Sequence, residues 1–382
     1  MAIVRVAIVT ESFLPQVNGV TNSVLRVLDH LERRGDEALV LAPDADNGAV
    51  PPFVSGAPVV ELGSIGFPGY PDVRLVVGKK WRTERTLAAF APDVVHLASP
   101  FVLGWLGMVA AERLGLPTVA VYQTEVPGYA ARYGLGHFEP LLWKRVKDLH
   151  EKATLNLVPS TATMQQLTMH GIPNMRLWGR GVDTTSFHPR FRDEAWRQAV
   201  GNGREVLVGY VGRLAAEKQV EALRVLRDLP GVRLVVVGDG PERDALRHLL
   251  PDAHFTGLLR GAELSRAMAS LDVFVHPGEL ETFGQTLQEA HASGVPVVAP
   301  AAGGPLDIVR HSHDGWLYAP GNHKALRSHV ADLVGDERKR LAFGAAARER
   351  AESRTWHDIC EELVHHYEDA IRVHERAGSA EV

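Results

Sequence analysis

The chain has 382 residues, more than one hydrophobic core usually serves, so two domains are expected. Hydrophobic residues make up 45% and charged residues 23%, and the net charge of −5 gives no basic excess of the kind nucleic-acid binding needs. The single cysteine, Cys360, excludes an intramolecular disulfide framework and fits a reducing cytoplasm. No apolar run approaches the roughly 18 residues of a membrane span. The opening "MAIVRVAIVTESF" is strand-like and has no secretory pattern.

Along the chain, short apolar runs alternate with segments of helical period. "VRVAIVT" (4–10) reads as a strand, and "GVTNSVLRVLDHLERRG" (19–35) as a helix ended by Gly35. Strands at 37–43, 93–99 and 117–124 follow, with a helix over 101–115. The stretch 137–152, "HFEPLLWKRVKDLHEK", is a basic helical patch carrying Leu141, Leu142 and Trp143. Such a helix could lie on an anionic bilayer or simply pack on the core with solvated lysines. After "GRGVDTTSFHPRFR" (179–192) the alternation restarts: strand 205–212, helix 216–229, strand 232–240, helix 242–250, strand 254–257, helix 261–270, and strands 272–277 and 296–300. A long amphipathic helix from about 356 to 376 closes the chain. Alternation of this kind predicts parallel sheets covered by helices. The expected fold class is α/β, with two doubly wound Rossmann-like domains over residues 1–180 and 181–355. The segment 356–382 is expected to cross back to the first domain.

In open α/β sheets, ligands sit at the carboxyl ends of strands, beside helix N-termini whose N–H groups favour anions. Three stretches have that character. Asn18 and Gly19 open the first helix directly after the first strand; they are either a ligand loop or a plain capped turn. Arg213 and Lys218 follow the strand 205–212 and could converge on a diphosphate, or be solvated cations. In "GELETFGQTLQEA" (278–290), Glu281 precedes a helix expected to begin near Phe283, and Glu289 lies two turns into it. The N–H groups of Gly284 to Leu287 would then point into the crevice. A diphosphate flanked by carboxylates that accept from vicinal hydroxyls outlines a nucleotide sugar, although helix caps and solvated glutamates would give the same spacing. A dinucleotide fingerprint is absent, since Arg243 stands at the third glycine position of "VVVGDGPERDAL".

Together "PQVNGV", "GRGVD" (179–183), "VGRLAAEKQ", "VVVGDGPE", "FTGLL" and the Glu281/Glu289 pair resemble the retaining glycosyltransferases of family GT4, which have the GT-B fold of two domains facing a central crevice. The likeness runs over nearly the whole chain and is nearest to actinobacterial GDP-mannose-dependent α-mannosyltransferases. It implies an acceptor-side first domain and a second domain that binds the nucleotide sugar. Glu281 would bind donor-sugar hydroxyls and Glu289 the ribose. Main-chain groups of Phe283 and Gly284 would contact the sugar. The N–H groups of Thr286 and Leu287 would meet the phosphates with Arg213 and Lys218, and Gly19 would close the diphosphate site. The family's chemistry needs no metal or cofactor, and retention occurs on one face of the sugar, with the departing phosphate oxygen taking the acceptor's proton.

The base would be read around 256–263, by Leu258, Arg260 and Glu263. Asn18, His96 and Glu125 would lie on the acceptor side, with His96 equally open to a packing role. Where many members carry a histidine near the donor sugar, this chain has Gln123, which can donate to a sugar hydroxyl but carries no charge. The acceptor would be a lipid-linked or small glycoside, and the protein cytoplasmic, with 137–152 available for peripheral contact with the inner face of the cell membrane. A UDP-sugar donor (glucosyl, N-acetylglucosaminyl or sulfoquinovosyl), a nucleotide-sugar epimerase and a non-catalytic nucleotide-sugar binder remain as other functions for the same crevice.

Overall fold

The computed structural model describes residues 3–16, 18–45, 50–67, 70–77, 80–99, 102–123, 137, 139–203 and 206–380. The first sheet contains β1 (Arg5–Val9), β2 (Glu37–Pro43), β3 (Phe53–Val54) and β4 (Ala57–Leu62). A separate antiparallel hairpin, β5 (Ser64–Phe67) and β6 (Tyr70–Val76), follows. The sheet is completed by β7 (Val94–Leu97), β8 (Thr118–Val121), β9 (Leu155–Val158) and β10 (Met175–Leu177), in the order β10-β9-β8-β7-β1-β2-β4-β3. Among the described residues of this sheet, only the β3–β4 pairing is antiparallel.

The second sheet takes β11 (Val206–Val211), β12 (Val232–Val237), β13 (His254–Gly257), β14 (Val273–Val275), β15 (Val297–Pro300) and β16 (Gly315–Tyr318), in the order β13-β12-β11-β14-β15-β16. All its pairings are parallel.

Apolar runs become parallel strands here because both faces of each sheet are covered. Along β1, Val6 and Ile8 enter one core with Leu28 and Leu31, while Ala7 and Val9 enter another with Leu97, Leu103 and Met108. Val208 and Tyr210 of β11 divide from Leu207 and Val211 in the same way. The helix Gly19–Arg34 starts where Asn18 accepts from the N–H groups of Val20 and Thr21, and stops at Gly35, whose φ of 79° suits glycine.

The closing helix, Trp356–Ala380, lies on the first sheet's core, to which it contributes Ile359, Leu363, Val364, Tyr367 and Ala370. Trp178 Nε1 donates to the Ile359 carbonyl, 2.9 Å. His96 is spent on this contact: it is 1% exposed, its Nδ1 is 2.6 Å from the Tyr367 hydroxyl, and burial pushes its pKa down to about 3. The expectation of an acceptor-side His96 is therefore corrected, since a neutral imidazole walled in by Tyr367 and Trp178 packs the core.

The helix expected over 216–229 is two 3-10 segments, Ala216–Lys218 and Val220–Leu226. Gln219 between them has a φ of 50°, which interrupts the α-helical ladder, and its Oε1 accepts from the Glu279 N–H at 2.9 Å.

Leu363, 1% exposed in this seam, gives a direct check on the closing helix. Leu363→Ala should cost about 2–5 kcal/mol of the first domain's stability. The measurement is its denaturant midpoint; an unchanged midpoint would contradict the packing.

Candidate functional site

The strand order of the second sheet reverses between β11 and β14, and the segments following these strands therefore open onto a crevice. After β11 come Arg213, exposed, and Lys218, half-buried. After β14 come His276, buried, and Glu281, half-buried. Lys218 Nζ lies 2.7 Å from Glu281 Oε2, and His276 Nε2 lies 3.3 Å from the same oxygen. Burial alone would raise the Glu281 pKa, but the Lys218 charge and the His276 contact outweigh it and hold the carboxyl well below the usual range.

The loop bearing Glu281 is clamped from below. Gly304 N–H donates to the Glu281 carbonyl at 2.7 Å, and a Cβ on Gly304 would sit 1.8 Å from the Phe283 carbonyl oxygen. The helix begins at Gln285, with Gly284 as its cap at a φ of 105°. The Leu287 N–H already donates to the Gly284 carbonyl, 3.0 Å, so the expected phosphate contact at Leu287 is corrected. The leading N–H groups of this helix, including that of Thr286, have no intrahelical acceptor. Glu289 lies further along it, half-buried, and its pKa is pushed up to about 8 by burial and then by the nearby Asp183 charge.

From the first domain, Gln123 reaches the same place. Its Nε2 donates to the Ala98 carbonyl and its Oε1 accepts from Arg180 Nη2, both at 2.8 Å. The Gln123 carbonyl accepts from Thr282 Oγ1 at 3.3 Å. Gln123 thus braces the two domains through Thr282. Asn18 caps the first helix and donates to Ser12 Oγ.

Sequence reasoning missed Arg180 and His276. Arg180 is 9% exposed, its guanidinium carbon is 5.9 Å from the centre of the buried Phe283 ring, and its Nη1 would be 2.9 Å from a Cβ on Gly19. The signal was present in "GRGVD", but nothing there shows that this arginine turns into the crevice. Leu258, Arg260 and Glu263 are exposed at the end of β13, with β12 between that strand and β11. Glu125 lies outside the described residues. In the helix Glu139–Lys152, Val146 and Leu149 face the core while Leu141 is exposed, and Trp143 stacks on His170 at 3.7 Å.

Residues 17–186 match the family described as Glycosyltransferase Family 4, and residues 192–350 match Glycosyl transferases group 1. A GDP-mannose-dependent alpha-mannosyltransferase of Mycolicibacterium smegmatis is 50% identical over 96% of this chain and 98% of its own. One of Corynebacterium glutamicum is 43% identical over 97% of this chain and 90% of its own. Among solved structures, Anabaena HepE in complex with UDP and glucose superposes with a TM-score of 0.77 at 21% identity, covering 95% of this chain and 98% of that one. Sucrose-phosphate synthase from Thermosynechococcus elongatus gives 0.79 at 19% identity, covering 96% and 98%.

The raised Glu289 pKa has a sign that can be measured. Between its ordinary 4.5 and about 8, the folded chain holds a proton at Glu289 that the unfolded chain has released. Stability from this group is therefore full at low pH and falls as pH rises through that window. Glu289→Gln should flatten the decline of melting temperature from pH 5 to 9; parallel curves for variant and wild type would contradict the assignment.

Proposed function

This chain belongs to glycosyltransferase family 4, and on that premise we propose that it transfers mannose from GDP-mannose, with retention, to a lipid-linked or small glycoside acceptor. Support comes above all from the 50% identity with a GDP-mannose-dependent alpha-mannosyltransferase along 96% of the chain. The crevice supplies the parts the reaction needs. Departure of GDP places negative charge on the diphosphate. Arg213, Lys218 and the leading N–H groups of the helix Gln285–Ala292 stabilise that charge more in the transition state than in the ground state. An ammonium has three donors, and the bond of Lys218 to Glu281 uses one of them.

Glu281, held as a carboxylate, accepts from donor-sugar hydroxyls, and the backbone of Phe283 and Gly284 borders the sugar. Glu289 meets the ribose, and Leu258, Arg260 and Glu263 border the base. Arg180, lying against Gly19, adds a cation from the interdomain side. The sugar–phosphate bond breaks as the acceptor oxygen attacks the same face, and the departing phosphate oxygen takes the acceptor's proton. These charges perform the step without a metal or cofactor.

We assign residues 1–180 to the acceptor side, 181–355 to the donor side, and 356–382 to the helix returning to the first domain. No helix among the described residues is long and apolar enough to cross a membrane. Peripheral contact with an anionic leaflet through the helix Glu139–Lys152, where Leu141 is 63% exposed, is part of the same proposal.

Mannosyl transfer from GDP-mannose, with the anomeric configuration of the product read by NMR, tests the reaction; an inverted product, or transfer from UDP-sugars only, would contradict it. Lys218→Gln should lower turnover roughly 10²–10³-fold, the order for losing one transition-state charge donor. Arg180→Gln should lower kcat/KM about 10–100-fold, as loss of a charged hydrogen bond worth about 1.5–3 kcal/mol implies. Wild-type kinetics in either variant would remove that residue from the diphosphate site.

A further inference from the structure

A second cluster of chemical interest lies far from the crevice. The helix Gly19–Arg34 touches the crevice at its first residue, and His30 sits roughly 16 Å further along, at 1.5 Å per residue. There it meets the closing helix. His357 and Glu361 are one turn apart on that helix and face His30, and the ligand atoms of the three all lie within 4.8 Å of one another.

Three observations set this cluster apart from ordinary packing. His30 is 4% exposed, and its buried Nε2 has no hydrogen-bond partner among the described residues, although Glu361 Oε1 is only 3.2 Å away. A misaligned nitrogen–oxygen pair at that separation matches an edge of a tetrahedral site, which is about 3.3 Å for metal–ligand bonds of about 2.0–2.2 Å.

Second, the local charge suits a dication. Arg34 Nη1 binds both Glu361 oxygens, Oε2 at 2.8 Å and Oε1 at 3.1 Å, but Arg34 is itself balanced by Asp36 Oδ2 at 2.9 Å. Arg34, Asp36 and Glu361 together thus keep a net negative charge for a cation, and Arg34 fixes the carboxylate's orientation. Third, His357 is exposed, so an ion has an entry path and a water can complete the coordination.

We propose that His30, His357 and Glu361 form a binding site for a divalent transition metal of the zinc class, which fastens the closing helix to the first domain. Two imidazoles and one carboxylate favour such an ion over magnesium or calcium, which prefer oxygen donors alone. The ion plays no part in the crevice. Its effect is on stability: an ion that binds only when the two helices are docked favours the docked state.

The test uses the full-length protein stripped with EDTA and dialysed. Titration with zinc chloride alone should show one ion per chain, a rise in melting temperature reversed by EDTA, and, with cobalt(II) as the probe, visible d–d absorption. His357→Gln changes an exposed position and should fold. It should weaken zinc binding at least tenfold and lose both the melting shift and the cobalt spectrum, while magnesium shifts neither protein. Glu361→Gln should weaken binding likewise. Zinc binding of equal strength in wild type and His357→Gln would place the ion on other histidines of the chain and overturn the proposal, as would failure of the wild type to bind.

Discussion

The ion pair of Lys218 with Glu281 organises everything at the crevice. Its partners come from the segments after β11 and β14, the two strands at which the strand order of the second sheet reverses, so one 2.7 Å contact fixes both loops relative to each other. The side chains are 20% and 16% exposed, a setting in which removing one partner leaves the other as an uncompensated, poorly solvated charge. With Glu281 held, its carbonyl accepts from Gly304, Phe283 is pressed against the glycine backbone behind it, and Thr282 meets Gln123 of the first domain. Arg180, bonded to Gln123 and close to Gly19 in the first domain, lies 5.9 Å from the centre of the Phe283 ring and so carries the same constraint across the seam.

Two glutamates eight residues apart are driven in opposite directions by this arrangement. Glu281 has Lys218 and His276 beside it and stays ionised. Glu289 has Asp183 instead, and burial with that second negative charge lifts its pKa to about 8. Asp183 in turn is held by Arg26 of the first helix at 3.0 Å, so the environment of Glu289 depends on how the domains meet. On the proposed reading, the ionised carboxylate serves the sugar, where hydroxyl donors add to the Lys218 contact. The carboxyl that starts protonated serves the ribose, where it can both donate and accept.

Much of this was legible in the chain. Continuous valine-rich runs such as "VLVGYV" and "VRLVVV" read directly as parallel strands, and Asn18 and Gly35 marked the ends of the first helix. The order of motifs carried the family and the fold. What stayed hidden was set by tertiary contact. The period of 216–229 suits an α-helix, yet Gln219 adopts a left-handed conformation and meets Glu279. His96 at a strand end looks the same whether it faces a ligand or Tyr367. Gln123 has the right chemistry for a sugar, but its bonds to Ala98 and Arg180 are not visible in the sequence. Arg180 is one arginine among many until the domain seam buries it.

The central claim is that the crevice is built for a guanosine diphosphate sugar. Calorimetric titration of the purified protein with GDP and with UDP, in metal-free buffer, tests it most directly. The account predicts saturable binding of GDP at least tenfold tighter than that of UDP. UDP binding as tight as GDP, or no binding of either, would contradict it.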